Sequence, residues 1–172
     1  TYIHPFADPN VIYGQGTISL EVLEMNPDID VLLVAIGGGG LIAGVAAAAK
    51  LIKPEIKIIG IEPIGAPTHH ASREAGELVT LSTVDTKAGT LAPKRSEELN
   101  YDLIQKYVDD IVLVSDSAMQ DAAQWLWFEL GIAAELSGAA GIAALSNELI
   151  TFKAGTNVCS IVCGGGTDGI SN

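Results

Sequence analysis

Apolar runs of two lengths alternate along this chain. VLLVAI (31–36) and IKIIGIE (56–62) are short and almost continuously apolar, the pattern of strands buried on both faces. DDIVLVSD (109–116) and NVCSIVCGGG (157–166) read the same way. Between them lie helix-length segments. Residues 14–26 have Thr17 as a cap and Pro27 as terminator, and the Ala-rich 41–53 has Lys50 and Lys53 at the end that favours positive charge, with Pro54 as the stop. Further helices are predicted over 97–108, over 116–132 capped by Asp116 or Ser117, and over 137–150 capped by Ser137. A helix joining two strands nearly forces a parallel, right-handed crossover. The alternation predicts an α/β fold, an open, mostly parallel twisted sheet with helices on both faces. Residues 63–98 are mixed and polar, and predict an excursion of loops and short helices.

Two of the predicted strands run straight into glycines: Gly37 to Gly40 after Ile36, and Gly164 to Gly166 after Cys163. In an open parallel sheet all strand C-termini share one rim, and ligands bind in the crevice outside it. Both runs are therefore expected at one site. The first also feeds a helix N-terminus, whose unpaired N–H groups and dipole favour an anion. The plainer reading is tight turns or close helix–sheet contact, but four consecutive glycines cost roughly 0.5 to 1 kcal/mol each in conformational freedom, which favours a bound phosphate. A dinucleotide fits loosely: Gly38, Gly40 and Ala43 satisfy the permissive G-x-G-x-x-A form, and Glu62 closes the next strand where a ribose-binding acid would stand. That reading leaves Gly37, Gly39 and the second glycine run unused.

Composition narrows the field. With 172 residues and 48% hydrophobic content the chain suits one α/β domain with a real core. A net charge of −12 argues for solubility and against a nucleic-acid partner, and no apolar run reaches membrane-spanning length. Cys159 and Cys163 are too far apart along an extended strand to bridge and lack the neighbours of a metal site, so a reducing, cytoplasmic setting is the simplest reading. Adjacent His69 and His70 read as exposed polar residues rather than a metal pair.

The blocks HPFADPNVIYGQGTISLEVL, GGGGLIAG, GIEP, ELSGAAGIAAL and VCGGGTDG, in this order and at these spacings, resemble the second half of a fold type II pyridoxal-phosphate enzyme. The similarity is to the threonine/serine dehydratase and serine racemase family, and it spans nearly the whole chain. The resemblance implies that Gly37, Gly38, Gly39 and Gly40, with the N–H of Leu41, cradle the phosphate of pyridoxal 5′-phosphate. It implies that Cys163, followed by Gly164, faces the pyridine nitrogen, where a neutral group suits β-elimination, and that Glu135 lies near the active site. Leu136 stands where relatives commonly have Pro. Glu62 matches a position where some relatives bind a divalent cation with a nearby carbonyl, here that of Ala66, and a second carboxylate; Thr68 replaces that carboxylate and weakens such a site. TKAGT (86–90) departs from the commoner T-x-A-D-G, which blurs whether Gly89 or Thr90 touches the cofactor.

The family's Schiff-base lysine, in its S-F-K type setting, has no counterpart among Lys50, Lys53, Lys57, Lys87, Lys94, Lys106 and Lys153. The expectation is that residues 1–172 form the C-terminal part of the cofactor-binding large domain, that the small domain and lysine segment lie outside the chain, and that the fragment alone is inactive. The complete enzyme implied is an ammonia-lyase converting a β-hydroxy amino acid such as threonine or serine to a 2-oxo acid and ammonia, and a homodimer. A racemase of the same family, a dinucleotide-binding dehydrogenase domain and a non-catalytic binding domain are the alternatives.

Overall fold

The computed structural model describes residues 3–170. Strands β1 (Val31–Ala35), β2 (Lys57–Pro63), β3 (Asp110–Val114) and β4 (Val158–Ser160) form one parallel sheet in the order β3-β2-β1-β4. Helices α1 (Pro9–Met25), α2 (Gly40–Ile52), α3 (Thr68–Ala75), α4 (Glu98–Tyr107), α5 (Asp116–Leu130) and α6 (Leu136–Ser146) surround it. The chain winds outward from β1 through β2 to β3, then returns by α5 and α6 to place β4 on the other side of β1. The order reverses between β1 and β4, and such a reversal opens a crevice at the strand ends.

Alternation along β1 divides the core. Val31, Leu33 and Ala35 pack with Ile59, Met119, Leu126 and the alanines of α6 on one face. Leu32, Val34 and Ile36 pack with Ile42, Val45, Ile58 and Ile104 on the other. This is the two-faced α/β sheet that the apolar runs predict. Helices α1 and α2 cross with almost no spacing between backbones. A Cβ built on Gly44 would lie 2.2 Å from the Ile12 carbonyl, and one on Gly16 would lie 3.2 Å from the Gly44 carbonyl. Buried Ser19 secures the crossing by donating to the Val45 carbonyl at 2.7 Å.

Several boundaries differ from the sequence-based expectation. Helix α1 starts at Pro9, not near residue 14, because the Asp8 carboxylate accepts the Asn10 N–H at 2.8 Å and proline suits the first turn. Thr17 is therefore no cap; its hydroxyl donates within the helix to the Gly14 carbonyl. Helix α6 begins at Leu136 and ends at Ser146, so Ser137 lies inside it rather than capping it. β4 is three residues long. As an edge strand with one neighbour it stops well before Cys163, although Ile161 N–H still reaches the Leu33 carbonyl. The polar excursion holds α3, whose first amides are capped from β2: the Glu62 carboxylate accepts the N–H groups of His69 and His70, each at 2.8 Å.

Candidate active site

A cleft of about 700 Å³ opens at the C-terminal ends of β1 and β4. That volume is typical of a small-molecule or cofactor site. Gly37 to Gly40 and Leu41 form one side, and Glu135, Ser137 and Val162 with Cys163 form the other. Phe6, Gln15 and Thr90 are among the residues that fill in the walls. Two strand ends separated by more than a hundred residues thus meet where the strand order reverses, but the second glycine run is not part of the lining: Gly164, expected at the cofactor, and Gly165 and Gly166 pack against residues 133–135 instead.

Each glycine of the first run is bare because protein approaches it. A Cβ would fall 2.5 Å from the Thr90 carbonyl at Gly37, 2.3 Å from the Phe6 ring at Gly38, 2.7 Å from His69 Nε2 at Gly39, and 2.4 Å from the Phe6 carbonyl at Gly40. Gly39 also has φ of 90° and sits at the N-cap of α2 with no side-chain cap. Close packing therefore demands the glycines, and the ligand chemistry rests on their amides. Among the described residues no acceptor holds the N–H groups of Gly38 to Leu41, whereas Ala43 N–H already bonds to the Gly39 carbonyl. Free donors at the start of a 13-residue helix suit a phosphate.

The opposite wall is stitched by backbone. Ala134 and Gly165 form an antiparallel bridge, Glu135 N–H donates to the Gly164 carbonyl at 3.1 Å, and Gly166 N–H donates to the Ala133 carbonyl at 3.1 Å. Ser137 Oγ and, at 3.3 Å, Thr90 Oγ1 donate to Glu135 Oε1. A Cβ at Gly164 would strike that same oxygen, so the glycine after Cys163 makes room for the carboxylate. Asp168 accepts the Leu136 N–H at 2.8 Å and caps α6 from 32 residues away. Sequence spacing holds no signal for that pairing.

Cys163 is a free thiol, exposed along its open edge but enclosed enough for burial to raise its pKa; hydrogen bonding with Ser137 and with its own backbone opposes the rise, and nearby Glu135 adds to it. The thiol is therefore neutral at pH 7. Cys159 is free too, and packs against the α1/α2 side of the core.

The structure corrects the readings at residues 62–70. Glu62 is fully buried and does not line the cleft, so it is not placed to bind a ribose. Burial drives its pKa up to about 7 against the lowering effect of the His69 and His70 amides and the Arg73 charge. The Ala66 carbonyl accepts the Thr68 N–H at 3.0 Å, and Thr68 Oγ1 donates to the Pro93 carbonyl at 2.7 Å. Among the described residues no group of three or more His, Cys, Asp or Glu is arranged for a metal. His69 is not exposed: it is fully buried against Gly39, and burial lowers its pKa to about 4. Only His70 reaches the surface, near Glu74.

None of the seven lysines lines the cleft. Lys50 pairs with Asp109 at 2.9 Å, Lys53 donates to the Pro27 and Ile29 carbonyls, Lys94 to that of Ser82, and Lys106 lies over the Tyr107 ring. No helix among the described residues is long and apolar enough to cross a membrane. Phe6, Gln15 and Ser137 are cleft residues that sequence reasoning missed. Phe6 and Gln15 stand within the recognised first block, but their place in the cleft depends on how α1 packs.

The fit to pyridoxal phosphate is good on these grounds: free helix amides at one end of a cleft of cofactor size, and a neutral thiol on the facing wall. Comparison with known proteins agrees. The family described as "Pyridoxal-phosphate dependent enzyme" matches residues 1–164. The chain is 40% identical over 167 residues to the L-threonine ammonia-lyase of Thermotoga maritima, covering 97% of this chain and 41% of that protein. It is 44% identical over 170 residues to the serine racemase of Oryza sativa subsp. indica, covering 96% and 50%. The structure of maize serine racemase superposes with a TM-score of 0.90 at 40% identity, covering 96% of this chain and 52% of that one. The chain spans about half the length of the curated relatives it matches. With the family match over nearly its whole length and the cleft built as described, this chain belongs to the pyridoxal-phosphate dependent enzyme family.

Proposed function

We propose that this chain forms the phosphate and ring-nitrogen side of an ammonia-lyase that converts a β-hydroxy amino acid, such as threonine or serine, to a 2-oxo acid and ammonia. The lysine that carries the cofactor and the small domain belong to sequence outside these 172 residues, so the chain alone is inactive. The observation that carries the reading is the meeting of the Gly37–Gly40 amides and Cys163 in one cleft.

Bound there, pyridoxal phosphate supplies an electron sink for the charge left when an amino acid loses its α-proton. The chain's own residues have three tasks. The N–H groups of Gly38 to Leu41 hold the phosphate by main chain, with the α2 dipole adding to the attraction. The Cys163 thiol keeps its proton and would offer the ring nitrogen a weak, neutral partner instead of a carboxylate, leaving that nitrogen largely unprotonated, which suits loss of a β-hydroxyl. Glu135, held by Ser137 and Thr90, places a carboxylate at the edge of the cleft. By family analogy the complete enzyme is a cytoplasmic homodimer acting on small amino acids.

The test is to supply L-threonine and L-serine with pyridoxal phosphate, and to measure 2-oxo acid, ammonia and the enantiomer of the remaining amino acid. The 172-residue chain should produce none of these, and the longer protein containing it should release 2-oxo acid and ammonia together. Turnover by the chain alone would refute the missing-lysine reading. Racemisation without ammonia in the longer protein would replace the lyase with a racemase, the activity named for the 44% identical rice relative.

A further inference from the structure

Two polar side chains outside the cleft lining reach the glycine turn. Ser96 Oγ and Asn100 Nδ2 both donate to the Gly38 carbonyl, at 2.8 and 2.7 Å. Asn100 Nδ2 donates also to the Phe6 carbonyl at 2.8 Å. Both residues are buried and neither lines the cleft.

A Gly–Gly peptide has no side chains to fix its orientation, so an outside contact must choose which way its carbonyl points. In a trans peptide the carbonyl and the following N–H point in opposite directions, and no peptide bond among the described residues is cis. Drawing the Gly38 carbonyl toward Asn100 on α4 turns the Gly39 N–H away from α4, to the side where the cleft lies. With the peptide reversed, a carbonyl oxygen would face the cleft and repel an anion.

We infer that Asn100, assisted by Ser96, is a positioning residue that sets the Gly38–Gly39 peptide for anion binding and so gives the cleft its preference for a phosphorylated cofactor. The inference rests on the proposed reading of the cleft. A second observation supports it. Asn100 Oδ1 is buried without a hydrogen-bond partner, an arrangement that costs stability. The amide's orientation is fixed by its two donor contacts, which the reversed amide would turn into oxygen against two carbonyls. The same amide anchors Phe6, whose ring covers Gly38 and whose backbone abuts Gly40.

Asn100→Asp keeps the shape and replaces the donating NH2 with a carboxylate oxygen. Ser96→Ala removes one donor to Gly38 and serves as the milder variant if the first does not fold. The probes are inorganic phosphate, pyridoxal phosphate and pyridoxal without phosphate, measured by equilibrium dialysis against the chain, with the Gly39 amide followed by ¹H–¹⁵N NMR. Asn100→Asp should weaken both phosphate-bearing probes about tenfold or more, Ser96→Ala a few-fold, while pyridoxal binding stays unchanged and the phosphate-induced shift of Gly39 is lost. An equal fall for pyridoxal phosphate and pyridoxal, or no fall in either variant, overturns the positioning role while leaving the cleft intact. Wild-type chain without any preference for the phosphorylated probes overturns the cleft reading and this inference with it.

Discussion

The crossing of α1 and α2 makes one substitution stabilising, neutral or damaging according to position. Alanine is favoured over glycine inside a helix by about 1 kcal/mol. At Gly14, inside α1, a Cβ meets nothing within 4 Å, so Gly14→Ala should stabilise the fold by about 0.5 to 1 kcal/mol. At Gly16 the Cβ comes 3.2 Å from the Gly44 carbonyl, a contact that a shift of a few tenths of an ångström relieves; gain and strain should nearly cancel. At Gly44 it would come 2.2 Å from the Ile12 carbonyl and 2.8 Å from the Gly16 nitrogen. Those are backbone atoms and cannot swing aside, so the helices must separate by about 1 Å, loosening the Ser19–Val45 bond as well. Overpacking of this kind costs about 1 to 3 kcal/mol, which leaves Gly44→Ala destabilised by about 1 kcal/mol, and at most about 2, after the helical gain. Urea unfolding followed by circular dichroism would rank the three variants. Equal stability for Gly14→Ala and Gly44→Ala would refute the argument that backbone approach, rather than helix preference, selects these glycines.

At Gly39, alanine must adopt φ of 90° and displace His69, so Gly39→Ala should lose pyridoxal phosphate binding at least tenfold in dialysis, with a stability cost of about 1 to 2 kcal/mol from the left-handed backbone. The pH dependence has two opposed parts. His69, lowered to about 4 by burial, binds its proton less readily folded than unfolded, so stability is lost as pH falls from about 6.5 toward 4, by about 3 kcal/mol in full. Glu62, raised to about 7 chiefly by burial, binds its proton more readily folded, so stability is lost as pH rises from about 4.5 through 7. Wild-type stability should therefore change little between pH 4.5 and 6.5, whereas His69→Leu should become steadily less stable as pH rises; identical pH profiles in urea melts would refute the assignment. Asp116→Ala removes the acceptor of Thr86 Oγ1 at 2.5 Å and Lys87 N–H at 2.6 Å, and should speed amide exchange at residues 86–90 more than in β1.

Much of the fold was legible because burial on both faces leaves a simple trace. β1 and β2 appear as unbroken apolar runs, and α2 as an alanine-rich helix with its stop signal. The α1 start was legible in principle as Asp8-Pro9, a cap followed by proline, but the first turns carry few inward apolar residues and exposed Tyr13 hides the period. α3 is legible only as a short helix or loop among polar residues, because its cap comes from Glu62 on another strand. The glycine runs and Cys163 could be placed on one rim from strand direction alone. The burial of His69, the capping of α6 by Asp168 and the grip of Asn100 on Gly38 come from contacts between distant segments, which local pattern does not carry.

The pairing of β4 with β1 rests on three matched residues, Val31 with Val158, Leu32 with Cys159 and Leu33 with Ser160. Side chains alternate faces along a strand, so a slip of one position would carry Ser160 to the α1/α2 side, send Cys159 toward α6 and move the Cys163 backbone by about 3.3 Å. The close fit of Ser160 against Gly141 in α6, where a Cβ would come within 2.2 Å of its hydroxyl, discourages the slip, since no larger group can enter that notch. The alignment of two cleft walls that are far apart in the chain thus depends on a small-residue lock between β4 and α6, formed by residues that do not themselves line the cleft.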